Sequence, residues 1–408
     1  MSQPVPPALR ALLDDPAIQQ IFSVLDSGDD SVRLVGGVVR NVLMQRPVTD
    51  IDMATTHRPE AVMDKARKAG LKVVPTGLAH GTVTVVAGKR SFEVTTLRED
   101  IETHGRHATV RFGRDFSHDA LRRDFTVNAL YADAHGHIYD YTQGLEDIAR
   151  KQVRFIGEAA TRIAEDYLRI LRFFRFFSDY GEGPIDQAGL EACVAMRDGL
   201  RQLSRERIGS ELVKILTSRR AIEVVEAMDR GGILPLILDR AVDTRAFTQL
   251  VAMAPEACAM TRLFALTDPD QNMISALRDC LRLSNQQSAM LERIQRALLV
   301  MAELDQPLGR RQAAFRIGHE AAINAAMITA SRAGLSRKQL DEAIADVQAV
   351  PVKSPFSGQQ VLALGHKAGP QIGAIVLEAE RLWIAEGLGT DPTGHNSQLA
   401  RAVKHILD

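Results

Sequence analysis

The chain has 408 residues, 45% of them hydrophobic, 25% charged and only 5% aromatic. Those proportions are globular and exclude wholesale disorder or a fibrous repeat, and at roughly 100–200 residues per domain the length holds about two to four structural units. A formal net charge of −1 supplies no global basic field, so any contact with nucleic acid has to come from a local patch.

The first residues, MSQPVPPALRALLDDPAI, show no basic segment followed by an apolar run and a small-residue cleavage site. No uninterrupted apolar stretch approaches the ~20 residues that span a bilayer, and a cytoplasmic protein is expected. From Ser31 to about Tyr141 the texture is β-rich: SVRLVGG, TDIDMATT, LKVVPTG, GTVTVVAG, RSFEVTTLR and GHIYDY are short β-branched runs broken by Gly, Pro and Lys-Arg turns. Two helical segments interrupt them, one starting near Val38 and one from Pro59 to Gly70, with Pro in the first turn and Gly closing the end. After Lys151 the pattern changes to helical-period segments such as EDYLRILRFFRFFSDY and RERIGSELVKILTS, and no further strand is expected. Breaks are expected after GGILPLI at 231–237 and within AVPVKSPFSG at 349–358. The predicted class is α+β, a mixed α/β head with a small sheet followed by all-helical parts. Cys193, Cys258 and Cys280 are far apart and odd in number, which fits neither a disulfide framework nor a zinc site; they read as buried thiols of a reducing compartment.

In TDIDMATT, Asp50 and Asp52 stand two apart in a β-like context, so both carboxylates project from one face. Like charges so close repel unless a cation lies between them, and hard oxygen ligands with room for phosphates suit Mg²⁺. Glu93 in SFEVTTL offers a third carboxylate, because Phe92 and Val94 face one way and Glu93 and Thr95 the other. Such a trio can hold two metals, which would activate an attacking hydroxyl and stabilise a departing pyrophosphate. Taken alone, the Asp-x-Asp pair fits a solvent-facing strand better than a metal site; its upstream context shifts the balance. There, in LVGGVVRNVLMQRP, a strand ends at Gly36 and Gly37 and a helix begins, a place where backbone amides can approach a triphosphate. Arg40, in the first turn, could add a charge-assisted contact.

Together, GGVVRNVLMQRPVTDID resembles the signature of the polymerase β-like nucleotidyltransferase superfamily, in its class II tRNA CCA-adding and bacterial poly(A) polymerase branch. RRDFTVNAL at 122–130 looks like that family's second motif, and the resemblance implies that Arg122, Arg123, Asp124 and Asn128 bind the nucleotide and sense its ribose. DYTQGLEDI at 140–148 is similar to the head-to-neck connector, EDYLRILRFFRF at 165–176 to the base-reading helix, and RERIGSELVKIL at 205–216 to the helix that braces it. Two departures stand out: Asn41 where the family usually has Asp, which removes a carboxylate, and Tyr167 where it usually has Pro, a change the first helical turn tolerates. The implied plan is a catalytic head over 1–148, a neck over 149–230, a body over 231–350 and a tRNA-binding tail over 351–408.

The helix expected from Glu165 carries Asp166 and then Arg169, Arg172 and Arg175 at three-residue intervals, a slowly winding basic ridge. A carboxylate and a guanidinium fork can imitate a complementary base, so Asp166 with Arg169 can read a Watson–Crick edge. The resemblance implies that this pair selects CTP or ATP without a nucleic-acid template and that Arg172 and Arg175 contact nucleotide or phosphates. Phe173, Phe174, Phe176 and Phe177 between them are read as core anchors.

IETHGRHATVRFGRD at 101–115 reads as a mobile loop, which the resemblance makes the segment that helps switch from CTP to ATP. His104, His107 and His118 are too irregularly spaced for a metal site. FSGQQVLALGHKAGPQIGAIVLEAERLW at 356–383 is similar to the family's tail, with Gly365, Gly369 and Gly373 permitting close approach to RNA. No paired His-Asp motif appears in the C-terminal half, so no phosphohydrolase domain is expected. The function implied is template-independent CCA addition to tRNA with CTP, ATP and Mg²⁺. Poly(A) polymerase, partial CC- or A-addition, and a non-catalytic tRNA-binding protein are the alternatives.

Overall fold

In a computed structural model, residues 5–27, 29–100, 110–270, 272–304 and 307–407 are described. Residues 101–109 of the expected loop, His104 and His107 among them, lie outside the described residues. By its internal contacts the chain divides after Leu203 into two units.

The first unit opens with helices α1 (Pro7–Leu13) and α2 (Pro16–Leu25), then β1 (Val32–Val35), α3 (Gly37–Leu43), β2 (Ile51–Thr55) and α4 (Pro59–Lys68). Strands β3 (Lys72–Gly77), β4 (Thr82–Ala87), β5 (Arg90–Thr96), β6 (Arg98–Asp100) and β7 (Val110–Phe112) follow, then α5 (Phe116–Leu121), β8 (Leu130–Ala132) and β9 (Ile138–Asp140). Helices α6 (Gly144–Arg150), α7 (Ala159–Glu165), α8 (Leu168–Tyr180) and α9 (Gln187–Ala195) close the unit. The sequence reading located every one of its expected strands and both early helices. It missed α1, α2, α5, α6 and the short strands β6, β7 and β8.

The local reasons are visible in the chain. Asp15 caps α2 by accepting the Ala17 N–H at 2.8 Å, with Pro16 in the first turn, and Ile18, Ile21, Phe22 and Leu25 bury one stripe. In β4, Val83, Val85 and Ala87 are buried while Thr82, Thr84 and Val86 are half-buried, the two-residue alternation of a strand.

Seven strands form one mixed sheet in the order β3-β4-β5-β2-β1-β8-β9, larger than the small sheet expected, and β6 pairs with β7 separately. Only β2 and β5 run parallel within the described pairs. Parallel neighbours need a crossover, and here α4, β3 and β4 make it. Val32, Leu34, Ile51, Met53, Val83, Val85, Phe92 and Val94 pack one face against α1 to α4. Val35, Ala54 and Tyr131, on the opposite face, join Phe116 and Ala120 of α5 in a second, smaller core. The site-bearing face is therefore only partly covered.

One predicted element is corrected. The helix expected to run from Glu165 is broken, because Asp166 is extended (φ −154°, ψ 106°) between α7 and α8. Its carboxylate accepts the Leu168 N–H at 3.1 Å, so the Asp side chain satisfies a first-turn amide from outside the helix, and a residue doing so adopts extended rather than helical torsions. Asp166 is thus not the head of a continuous ridge. It precedes α8, which buries Phe173, Phe174, Phe176 and Phe177 as expected.

The second unit is helical throughout its described residues, from Arg205–Leu216 to Pro392–Leu407. Helices there begin with Ser-x-x-Gln capping boxes at Ser284, Ser336 and Ser357. Gly209 is required by packing, since a Cβ at that position would come within 2.1 Å of the Leu281 carbonyl oxygen. One core cluster runs from Ala297 to Ala402, across the segment 349–358, and Trp383 at its centre meets Phe315 and Phe356 edge-on. The tail glycines Gly369 and Gly373 have open space where a Cβ would stand, and Gly365 has φ +90°. Cys193 and Cys280 are buried as expected, but Cys258 is exposed. It sits at the N-cap position ahead of the helix Ala259–Leu266, where the side chain leaves the buried stripe. No helix is long and apolar enough to cross a membrane among the described residues.

Candidate active site

The open face of the first unit carries a cleft of about 460 Å³, within the usual range for a small-molecule site. The second unit has a larger, more apolar one of about 640 Å³ near Leu298 and Leu299. The larger cleft is lined by one carboxylate and one guanidinium, Asp270 and Arg332, whereas four carboxylates and five arginines converge on the smaller, which is therefore the candidate site.

Asp52 and Glu93 sit directly opposite each other in the parallel β2–β5 register, and both line the cleft. Burial, together with the charge of Glu93 and more weakly that of Asp50, pushes the Asp52 carboxyl above its ordinary pKa, against an opposing pull from Arg123. Asp50 lies one residue ahead of β2 and is exposed, outside the cleft lining, with the Thr49 hydroxyl donating to it at 3.1 Å. The donor set fits a divalent cation: hard carboxylates whose negative charges crowd Asp52 are relieved by positive charge. Among the described residues no three His, Cys, Asp or Glu side chains already form a cage. Mg²⁺ characteristically takes one or two carboxylates and completes its shell with substrate phosphates and water.

Gly36 ends β1 with φ +69°, a left-handed conformation that glycine adopts without strain, and a Cβ there would stand 3.4 Å from the Arg123 guanidinium. Gly37 opens α3. Arg40 is drawn inward and is only 6% exposed. Its guanidinium donates to the side-chain oxygens of Asn41 and Asn128 and to the Tyr180 hydroxyl, the last at 2.8 Å, and burial lowers its pKa. Asn41, lacking the family's carboxylate, accepts from Arg40 at 2.9 Å and uses its amide N–H to donate to the Pro47 carbonyl at 2.9 Å.

Arg122, Arg123 and Asp124 all line the cleft, whereas Asn128 lies behind it and donates to Asp124 at 3.1 Å. Asp124 is buried and also accepts from Arg172 at 2.6 and 2.7 Å. Burial works against its charge, but Arg172 and Asn128 outweigh that and hold the carboxyl below its ordinary pKa. Asp166, Arg169 and Arg172 form the far wall. Arg169 is held by the Glu165 carboxylate at 2.6 Å and by the carbonyls of Arg162 and Arg122 at 2.8 and 3.1 Å. Arg175 lies outside the lining, its guanidinium 4.4 Å from the centre of the Phe176 ring.

The sequence reading missed several members. Asp119, 1% exposed, accepts from Arg122 at 2.6 Å, Arg123 at 3.0 Å and the Tyr131 hydroxyl at 2.8 Å. Burial alone would raise its pKa, yet Arg123, Arg122 and the Tyr131 hydroxyl hold it at about 2. The spacing of Asp119 to Arg122 and Arg123 on one helical turn was the available signal. Thr82 and Thr95 share a hydrogen bond of 3.0 Å on the cleft wall, and Thr95 follows from Glu93 by strand alternation. Arg98, also in the lining, carries no local signal.

Residues 32–154 match the model of the Poly A polymerase head domain, and residues 184–242 that of the probable RNA and SrmB- binding site of polymerase A. The chain is similar to the mitochondrial CCA tRNA nucleotidyltransferase 1 of Danio rerio, 40% identical over 52% of this chain, and spans 50% of that relative's length. It is 27% identical to the CCA-adding enzyme of Lactobacillus helveticus (strain DPC 4571), over 91% of this chain and 93% of the relative. The structure of the Bacillus stearothermophilus CCA-adding enzyme in complex with CTP superposes with a TM-score of 0.67 at 25% identity, covering 98% of each chain. A mixed sheet with a carboxylate on β2, a glycine-terminated β1 and a following helical series defines a head of the polymerase β-like nucleotidyltransferase type. The head carries the Poly A polymerase head domain, and over nearly its whole length the chain is similar to CCA-adding enzymes.

Proposed function

We propose that this protein adds or repairs the 3′-terminal CCA of tRNA, using CTP and ATP and releasing pyrophosphate. The observation that carries the reading is a single cleft lined on one wall by Asp52 and Glu93 and on the other by Asp166 and Arg169. A triphosphate and the edge of its base could be engaged there together. The relatives named for CCA addition support the choice of substrates.

In this reading Asp50 and Asp52 hold Mg²⁺, which when bound would polarise the α-phosphate and favour the ionised 3′-hydroxyl of the tRNA. That hydroxyl attacks the α-phosphorus, the bond to the β-phosphate breaks, and Glu93 receives the proton. Gly36 and Gly37 admit the phosphates close to the backbone, with Arg40 behind them. Arg122, Arg123, Asp124 and Asn128 orient the ribose and phosphates, and Arg172 and Arg175 add positive charge.

Cytosine and adenine share an amino donor beside a ring-nitrogen acceptor, whereas uracil and guanine present a carbonyl and a ring N–H there. Asp166 accepts from the amino group and Arg169 donates to the ring nitrogen, so one pair takes both correct bases and rejects the other two. Glu165 aims Arg169, and Glu165→Ala should cut discrimination of CTP against UTP by roughly tenfold, the equivalent of one mispaired buried polar group at about 1–3 kcal/mol. Competition between the two nucleotides in single additions measures it. An unchanged ratio would move the base-reading edge elsewhere.

The four-part division at 148, 230 and 350 belongs to the same proposal, with the tail 351–408 meeting tRNA mainly through phosphates and therefore in a salt-sensitive way. We assign the protein to the cytoplasm on its three free thiols. Incubation with tRNA lacking its 3′ end, and with CTP and ATP separately and together, tests the function. CC addition with CTP alone and completion with both is the expected result. Long A tails on any RNA would show a poly(A) polymerase instead.

A further inference from the structure

Tyr180, the last residue of α8, is tied to the opposite side of the head. Its hydroxyl accepts from Arg40 of α3 at 2.8 Å, and the Arg40 guanidinium also lies 4.0 Å from its ring centre. Arg46, in the segment between α3 and β2, places its guanidinium 4.7 Å from the same ring. Phe176, one turn earlier, stacks on Tyr180 at 5.6 Å and an interplanar angle of 25°. A cation over an aromatic face is attracted by the ring quadrupole, and more strongly when water is excluded, as it is around Arg40.

Arg40 is the node of two connections. One runs through Asn128 and Asp124 to Arg172, also on α8. The other runs through Asn41 to the Pro47 carbonyl, three residues before Asp50. The backbone repeats that second tie, since the Arg46 N–H donates to the Asn41 carbonyl at 2.7 Å. Helix α8 therefore grips Arg40 at two points, and Arg40 grips the segment that delivers Asp50 and Asp52.

We propose that Tyr180 is a positioning residue: with Arg40 and Arg46 it locks the arginine-bearing helix α8 to the segment ahead of Asp50, so that base and α-phosphate are held in line together. This role rests on the function proposed above. Its signature is specific. Local base contacts survive when Tyr180 is lost, but the phosphate falls out of alignment with the carboxylates. Binding and selectivity are then kept while turnover drops, the behaviour of an interaction realised only in the transition state.

Tyr180→Leu should lower kcat for CTP addition at least tenfold while KM for CTP and the CTP-to-UTP ratio stay within about twofold, and Tyr180→Phe, which keeps the ring, should recover most of the loss. Hydrogen exchange supplies a readout that needs no turnover: the Gln45 and Arg46 amides should exchange faster in Tyr180→Leu while the amides of α8 keep their protection. Arg46→Ala, which leaves the aromatic core intact, should loosen the same two amides if the leucine variant does not fold. Unchanged exchange at Gln45 and Arg46 in these variants overturns the coupling. So does a leucine variant with undiminished kcat, or one whose only change is a higher KM. A wild-type protein that incorporates no nucleotide would defeat the proposed function instead, and the exchange measurement would still decide the coupling.

Discussion

Replacing Asp50 and Asp52 together by alanine should abolish nucleotide incorporation, with a loss of about 10³-fold or more, while tRNA binding remains close to that of the wild type. The magnitude follows from a metal contributing several kcal/mol to transition-state charge stabilisation, at roughly tenfold per 1.4 kcal/mol. Binding should survive because RNA affinity is dominated by cations meeting phosphates. Asp52→Asn alone adds a thermodynamic check. Asp52 is pushed above its ordinary pKa by burial, by Glu93 and by Asp50, so in metal-free protein its ionised form opposes folding. That opposition is present at neutral pH and fades as pH falls through the raised pKa. Metal-free Asp52→Asn should therefore melt at least as high as wild type at pH 7, and it should lose the further stabilisation that Mg²⁺ confers on the wild type. Wild-type melting that does not respond to Mg²⁺, or full activity in the double alanine variant, would remove the metal from this place.

The second large effect belongs to Asp119, which should matter to the fold and the site at once. Asp119→Ala leaves Arg122 and Arg123 without their shared carboxylate and the Tyr131 hydroxyl without its acceptor. Breaking a buried ion pair by removing one partner costs about 3–5 kcal/mol. A marked fall in melting temperature is expected, along with a raised KM for CTP, because Arg122 and Arg123 line the cleft. Asp119→Asn keeps the shape and two acceptor sites of its oxygen, so it should fall between alanine and wild type. The carboxyl is held at about 2 in the folded chain, below the ordinary carboxylate value of roughly 4 in the unfolded one. Its contribution is consequently complete above about pH 4 and lost as pH falls towards 2. Acid unfolding of wild type and Asp119→Asn should converge over that window. Parallel curves down to pH 2 would mean that folding does not lower the pKa of this carboxyl.

Most of the head's architecture was legible because its determinants are local. Alternating burial in VTVVA and FEVTT follows from the two-residue strand repeat, and that repeat correctly put Glu93 and Thr95 on the face opposite Phe92 and Val94. The Ser-x-x-Gln boxes at Ser284, Ser336 and Ser357 are similarly readable from residues three apart. The misplacement of Asp166 had a local cause as well. An Asp followed two residues later by a free helical amide competes with the helix for that amide, and a periodicity argument does not register the competition.

By itself the sequence determined the strand runs, the glycine turn ahead of a helix, the Asp-x-Asp pair and the order of motifs that marks the family, since each depends on neighbours within a few residues. Only the tertiary structure decided which carboxylates meet. Glu93 faces Asp52 because α4, β3 and β4 make the crossover that brings β5 parallel to β2. It alone also turned Arg40 inward, to partners 88 residues away at Asn128 and 140 residues away at Tyr180. A guanidinium just after a glycine turn reads as a phosphate contact until distant segments close over it. Its burial is then tolerated because oxygens and an aromatic face replace the water it gave up.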